Sequence, residues 1–184
     1  MTHDTASIGG LVTIAPIVFS ERLRGTSLED VQAICHKHLQ LTHPDEFLAK
    51  VCRDYIGLFD ALLFRAEADP AQEIVAAWAK RSIGMAMPEL LSKVRTDNDV
   101  VGRLFSSACY ISDSWPNVLY LAYKYADKTE AGLLANTNLG GDNVHRGTVL
   151  GAILGLANGN SPSDIYDELR DKEMLEHEIH SLLN

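Results

Sequence analysis

The stretch Asn136–Gly159, NTNLGGDNVHRGTVLGAILGLANG, constrains this chain more than any other. A polar loop, Asn136 to Asn138, leads to Gly140 and Gly141, then to Asp142 and a long apolar segment. Adjacent glycines permit positive φ and a close approach of backbone to a ligand. Asp142 falls where a helix N-cap or first-turn residue stands, a position that favours a carboxylate. Free N–H groups at such a helix end can also hold a phosphate. Gly147, Gly151, Gly155 and Gly159 recur every fourth residue, so the first three share one helix face and the last marks the stop. Each interior glycine weakens a helix by about 1 kcal/mol relative to alanine. Three in a stripe therefore predict another backbone close against that face, and a central, buried helix. Gly-Gly-Asp before a helix is also an ordinary loop and cap. The functional reading rests on the polar cluster around it: Asn136, Asn138, Asp142, Asn143, His145 and Arg146.

The remaining chain shows helical periods and no strand-length alternation. Ile8 to Arg22 is predicted as a buried helix, apolar almost all round, kinked at Pro16. Ser27 and Asp30 form a capping-box variant that opens a helix with Val31, Ile34, Cys35, His38 and Leu39 inward; His38 reads as a packed core histidine. Pro44, Asp45 and Glu46 suit a first turn, and Leu48, Val51, Cys52, Tyr55, Phe59, Leu62 and Leu63 carry that helix to about Ala66. Shorter helices follow from Asp69–Pro70 and from Met87. Asp97 and Asp99 read as turn and cap residues, since the glycine and closing glutamate of a calcium loop are missing. Leu104 to Ile111 reads as a short helix or extended. Ser112 to Pro116 then makes a polar elbow, with Ser114 capping a helix Trp115–Ala126. A short helix Glu130–Ala135 delivers the chain to Asn136. Ser161-Pro162-Ser163 opens a polar terminal helix, and Asp171 the last one. The fold class is all-α, an orthogonal helical domain of about eight to ten helices.

A chain of 184 residues with 46% apolar content is large enough for one domain with a real core. The net charge of −9 and the absence of a basic stripe argue against nucleic-acid binding. Cys35, Cys52 and Cys109 are an odd count without a CxxC pair, which disfavours a disulfide framework or zinc knuckle. They read as buried thiols in a reducing compartment. The longest apolar runs are too short for a membrane span. Asp4 rather than a basic residue precedes the first run, a poor signal peptide. A cytoplasmic protein is expected.

Asn138-Leu-Gly-Gly-Asp142, with Gly147, Gly151 and Gly155 behind it, resembles the C-terminal signature of the ADP-ribosylglycohydrolase family, which includes the J-type crystallins. Three further segments resemble the family in order: Ile8-Gly9-Gly10 through Pro16-Ile17, Leu41-Thr42-His43, and Ser112-Asp113-Ser114-Trp115-Pro116. The resemblance implies the C-terminal half of that all-helical fold. It also implies a hydrolase that removes ADP-ribose from an acceptor with two magnesium ions. Asp142 matches a metal-binding aspartate, a hard oxygen ligand that suits Mg²⁺. Gly9, Gly10 and His43 match positions near bound ADP-ribose, Asp113 matches a frequent acidic residue, and Gly140 and Gly141 are placed to hold a diphosphate. The chain departs from the signature at Val144 and His145, where the family carries its second metal-binding aspartate and a threonine. The acidic motif of the family's N-terminal half has no counterpart, so the single helical domain 1–184 reads as incomplete relative to the family.

The leading expectation is a metal-dependent hydrolase acting on ADP-ribose or an ADP-ribosylated substrate. In it Asp142 is metal ligand, His145 is ligand or acid/base, and Asn143 and Arg146 contact phosphate or ribose. Arg146 can make a forked contact to phosphate, or alternatively a surface salt bridge. A second expectation is an inactive ADP-ribose binder or crystallin-like structural protein. A third is a helical assembly module whose apolar N-terminal helix and glycine-striped helix pack against a partner chain, with self-association expected because Ile8–Phe19 lacks a cover.

Overall fold

A computed structural model of the chain describes residues 6–159 and 164–183. A 3-10 turn, Ile8–Leu11, leads into α1 (Ile14–Leu23), α2 (Leu28–Gln40), α3 (Glu46–Leu63), α4 (Ala71–Ile83) and α5 (Met87–Lys93). A second 3-10 turn, Asp97–Asp99, precedes α6 (Ile111–Lys124), α7 (Thr129–Asn138) and α8 (Asn143–Asn158). The short α9 (Asp164–Asp167) and α10 (Lys172–Leu183) follow. The described residues form no strand; Ser7 and Tyr110 make one isolated antiparallel bridge. The fold is all-α, as the periodicity requires. The expected start at Ser161-Pro162-Ser163 lies outside the described residues.

Several helix starts follow their local signals. Ser27 Oγ accepts the Asp30 amide at 3.1 Å and donates to Asp30 Oδ2 at 2.7 Å. Asp45 caps α3 by accepting the Leu48 amide at 2.7 Å, so Pro44 precedes the cap instead of opening the first turn. Pro16 does not kink a helix. The chain already breaks at Val12–Thr13, and Pro16 falls in the first turn of α1, where an amide has no intrahelical partner to lose.

The N-terminal segment is covered from within. Ile8, Leu11, Ile14 and Val18 are completely buried beneath α2, α3 and α8, which pack on α1 and the first 3-10 turn. The expectation of an uncovered Ile8–Phe19 is thereby corrected. His38 is not a core histidine: half-buried, its Nε2 lies 2.8 Å from Thr13 Oγ1 and ties α2 to the start of α1. Cys35 and Cys52 are buried thiols, pushed up by burial to about 11 and about 12 respectively, which marks them as packing residues without nucleophilic character.

The polar elbow expected at Ser112–Pro116 is part of α6. Ser114 is buried inside the helix and donates to the Ala108 carbonyl at 2.7 Å. Likewise α7 runs through Asn138, so Asn136 to Asn138 are helical and not a loop. The glycine stripe does not seat a neighbouring backbone along its length. A Cβ at Gly147 would meet Asn136 Nδ2 of α7 at 2.8 Å, one at Gly151 would only touch Leu133, and Gly155 faces open space. The close approach comes also from the other helix: a Cβ at Gly132 of α7 would stand 2.7 Å from Leu154 Cδ1 of α8.

Asp97 and Asp99 divide their work. Asp99 Oδ2 accepts the amides of Arg95 and Thr96 at 3.0 and 2.8 Å and acts as the cap. Asp97 instead anchors the turn to α6, accepting from Tyr120 and Tyr125 hydroxyls at 2.8 and 2.7 Å and from Lys124 Nζ at 2.6 Å. Burial opposes ionisation of Asp97, but the three donors and the Lys124 charge outweigh it and hold the carboxyl below its ordinary value. Because the folded value is depressed, the stabilisation is fully present above about pH 4, the ordinary carboxylate value. It is lost as pH falls through the folded value. Asp97→Asn is expected to cost roughly 1.5–3 kcal/mol at neutral pH. In urea titrations the difference from the parent should shrink as the medium is acidified.

Candidate active site at the mouth of helix α8

The segment between the second 3-10 turn and α6, residues 100–110, is neither helix nor strand. It is the mount for the site. Ile8 donates to the Cys109 carbonyl at 2.9 Å and Ile111 to the Ala6 carbonyl at 3.0 Å, which fixes the segment beside the start of the chain. On its other side Ser107 O accepts the Asp142 amide at 2.9 Å and Arg146 Nη1 at 3.3 Å. The α8 mouth, the first 3-10 turn and the start of α6 thus share one support.

Arg146 holds the loop together from below. It is completely buried. Its Nε donates to Asn136 Oδ1 at 2.6 Å, and its Nη2 reaches Gly140 O at 2.8 Å and Asn136 O at 3.3 Å. Burial pulls the guanidinium below its ordinary value while the Asp142 charge opposes that pull. An arginine nevertheless stays charged in a protein. The expected phosphate contact and the alternative surface salt bridge are both corrected: the fork is closed on backbone carbonyls and Asn136, with no exposed atom.

Asp142 is the N-cap residue of α8 but makes no side-chain capping bond. Its oxygens instead lie 2.9 and 3.0 Å from His145 Nδ1. An ionised carboxylate only accepts, so Nδ1 carries the proton in this pair. The His145 side chain is 51% exposed, and no described residue hydrogen-bonds its Nε2. Gly9 faces this ring. A Cβ there would stand 3.9 Å from His145 Cε1 and Nδ1 and 3.4 Å from Ser7 Oγ. Ser7 Oγ is in turn 3.4 Å from His43 Nε2, whose Nδ1 is 2.9 Å from Thr42 Oγ1. Gly9, His43, Asp142 and His145, picked out on separate segments of the sequence, form one line across the surface. Ser7 completes it; no sequence signal marked this serine, because its role comes from the bridge to Tyr110.

The other expected residues stand at the margin. Gly10 is buried, and a Cβ there would press on Leu48, His43 and Leu39, so it is required for packing. Asp113 accepts the Ser106 amide and the Ser112 hydroxyl, both at 3.1 Å; it braces the mounting segment. Asn143 donates to the Thr137 carbonyl at 3.0 Å. Gly140 has φ +66° and open space in front of it. Gly141 has φ +65°, and a Cβ would stand 2.1 Å from Ser107 O. Gly141→Ala combines a left-handed residue with a backbone clash, and an expected loss of about 2–5 kcal/mol follows. Thermal melting should show this loss, whereas Gly140→Ala should cost only the smaller conformational part.

A model of the ADP-ribosylglycohydrolase family matches residues 2–184. The chain belongs to the ADP-ribosylglycohydrolase family. No curated protein and no solved structure matches it.

Against that family background the donor set at the α8 mouth is short. Among the described residues no group of three or more His, Cys, Asp or Glu side chains is placed to hold a metal ion. Both Asp142 oxygens face His145 Nδ1, Val144 is apolar and 72% exposed, and the buried Arg146 charge lies within electrostatic reach of the carboxylate. These residues do not by themselves fit the two-magnesium centre that the family resemblance implies. The site is an open face. A groove of about 520 Å³ between α1, α3 and α8 is lined by Phe19, Leu62, Leu63, Gly151, Gly155 and neighbours; Asp142 and His145 line neither it nor the smaller grooves by α4 and α10. No described helix is long and apolar enough to cross a membrane.

Proposed function

We propose that this ADP-ribosylglycohydrolase-family chain hydrolyses the bond between ADP-ribose and an acceptor on the open face at the mouth of α8. One observation carries the reading: Gly9 and His43 from the N-terminal third converge with Asp142 and His145 from the α8 loop. With Asp142 holding the proton on Nδ1, the bare Nε2 of His145 is an acceptor aimed at a ligand. As the water oxygen bonds to the anomeric carbon, its proton passes to Nε2. The glycosidic electron pair leaves with the acceptor group, which takes a proton from solvent. The unpaired amides at the start of α8 supply the partner for a diphosphate. Free buried thiols at Cys35 and Cys52 support a cytoplasmic setting.

The test is release of labelled ADP-ribose from arginine-, serine- and nucleic-acid-linked substrates. Release from one of them, abolished by His145→Ala, is the expected result. The exposed Val144 favours a second reading, an ADP-ribose binder without turnover. Calorimetric binding of ADP-ribose with no release from any substrate would establish that instead.

A further inference from the structure

We propose that Asp142 serves His145 and not a cation: the α8 mouth is a metal-independent carboxylate–imidazole pair that binds the ADP-ribosyl ligand through His145 Nε2. The inference rests on the functional reading above for the ligand, and on three separate features for the pair. First, both carboxylate oxygens lie within 3.0 Å of the same ring nitrogen. Asp142 makes no capping bond, so its orientation is set by the imidazole. Second, the buried guanidinium of Arg146 is electrostatically coupled to Asp142. A dication seated on the carboxylate would face a positive charge that has no water around it to screen it. Third, of the two side chains between Asp142 and His145, Val144 offers no donor and Asn143 is tied by its amide nitrogen to the Thr137 carbonyl. Magnesium is held by one or two carboxylates together with waters and substrate phosphates; among the described residues the carboxylate at this mouth is Asp142, and both its oxygens are engaged by the His145 N–H.

The same arrangement has a positive role. A carboxylate on Nδ1 fixes the tautomer and the ring plane, as in hydrolytic centres that use no metal. The ring turns Cε1 and Nδ1 to the space that Gly9 leaves open, each 3.9 Å from where a Cβ would stand, and the Ser7 hydroxyl borders the same space at 3.4 Å. A ribose hydroxyl or an attacking water on the solvent side of the half-exposed ring would donate to Nε2.

The experiment uses the full chain labelled with ¹⁵N in histidine. At alkaline pH, where imidazoles are neutral, His145 is expected as the Nδ1-protonated tautomer, reverting to a tautomer mixture in Asp142→Ala. Mn²⁺ then stands in for magnesium. The expected result is that His145 broadens no more than the other exposed histidines. Selective broadening of His145 at micromolar Mn²⁺, removed by Asp142→Ala, would overturn the inference, as would an unchanged tautomer in that variant. ADP-ribose titrations should give affinities within about twofold of each other in chelator and in magnesium, and His145→Ala should weaken both by about tenfold or more. Binding that requires magnesium would also overturn it. Failure of ADP-ribose to bind under either condition would count against the functional reading alone, and the tautomer and Mn²⁺ results would still decide the pair.

Discussion

Arg146→Ala is expected to lower the stability of this chain by about 3–5 kcal/mol, the loss seen when one partner of a buried charged network is removed. The side chain is wholly enclosed and its three nitrogens reach Asn136, Gly140 and Ser107. Removing it leaves the buried Asn136 Oδ1 and the Gly140 carbonyl without that donor, and the Ser107 carbonyl with the Asp142 amide alone. Since whole domains are stable by only about 5–15 kcal/mol, the variant should melt far below the parent or fail to fold. Arg146→Lys retains the charge but cannot span three acceptors from one plane, and its melting temperature should fall between the two. A midpoint in urea for Arg146→Ala close to that of the parent would mean that Asn136 and the Gly140 loop find other partners.

His145→Ala is expected to reduce ADP-ribose release by about 10²–10⁴-fold, the usual contribution of a positioned general base, while the folded structure persists. The imidazole is half in solvent and its contact is to Asp142. Circular dichroism and thermal melting should therefore be close to those of the parent. The contrast with Arg146, one residue further along the helix, is the informative part. One variant should lose activity without stability, the other stability first. Full release by His145→Ala would remove the imidazole from the mechanism.

How much of this was legible in the sequence depended on the range of the interactions. Short-range signals transferred well. Ser27 and Asp30, three residues apart, cap α2, and Gly140-Gly141-Asp142 opens α8 with both glycines at positive φ. The sequence pattern misplaces the α6 start because Ser112 to Pro116 look like an elbow with Ser114 as its cap. Buried, Ser114 and Asn117 donate to the Ala108 and Ser106 carbonyls, which no local pattern announces. Asp97 finds its partners 23 to 28 positions away, beyond the reach of any motif. Arginine in a polar loop is usually exposed; the burial of Arg146 depends on α7 continuing through Asn138 and bringing Asn136 against it. The site followed the same rule. Gly9, His43 and Asp142 are visible singly through the family resemblance and His145 as a departure from it, whereas the direct Asp142–His145 contact and the Ser7 hydroxyl emerge only from the packing.

Arg65 caps the far end of α8 by donating to the Ala157 and Leu156 carbonyls at 2.9 and 3.4 Å, while Arg146 pins the near end. The helix is consequently a strut clamped at both feet, about 24 Å long at 1.5 Å per residue. His145 rides on this strut, so the height of its ring above Gly9 is set partly by an anchor that never meets the ligand. Loosening Arg65 would let the strut slide, detuning the imidazole from a distance.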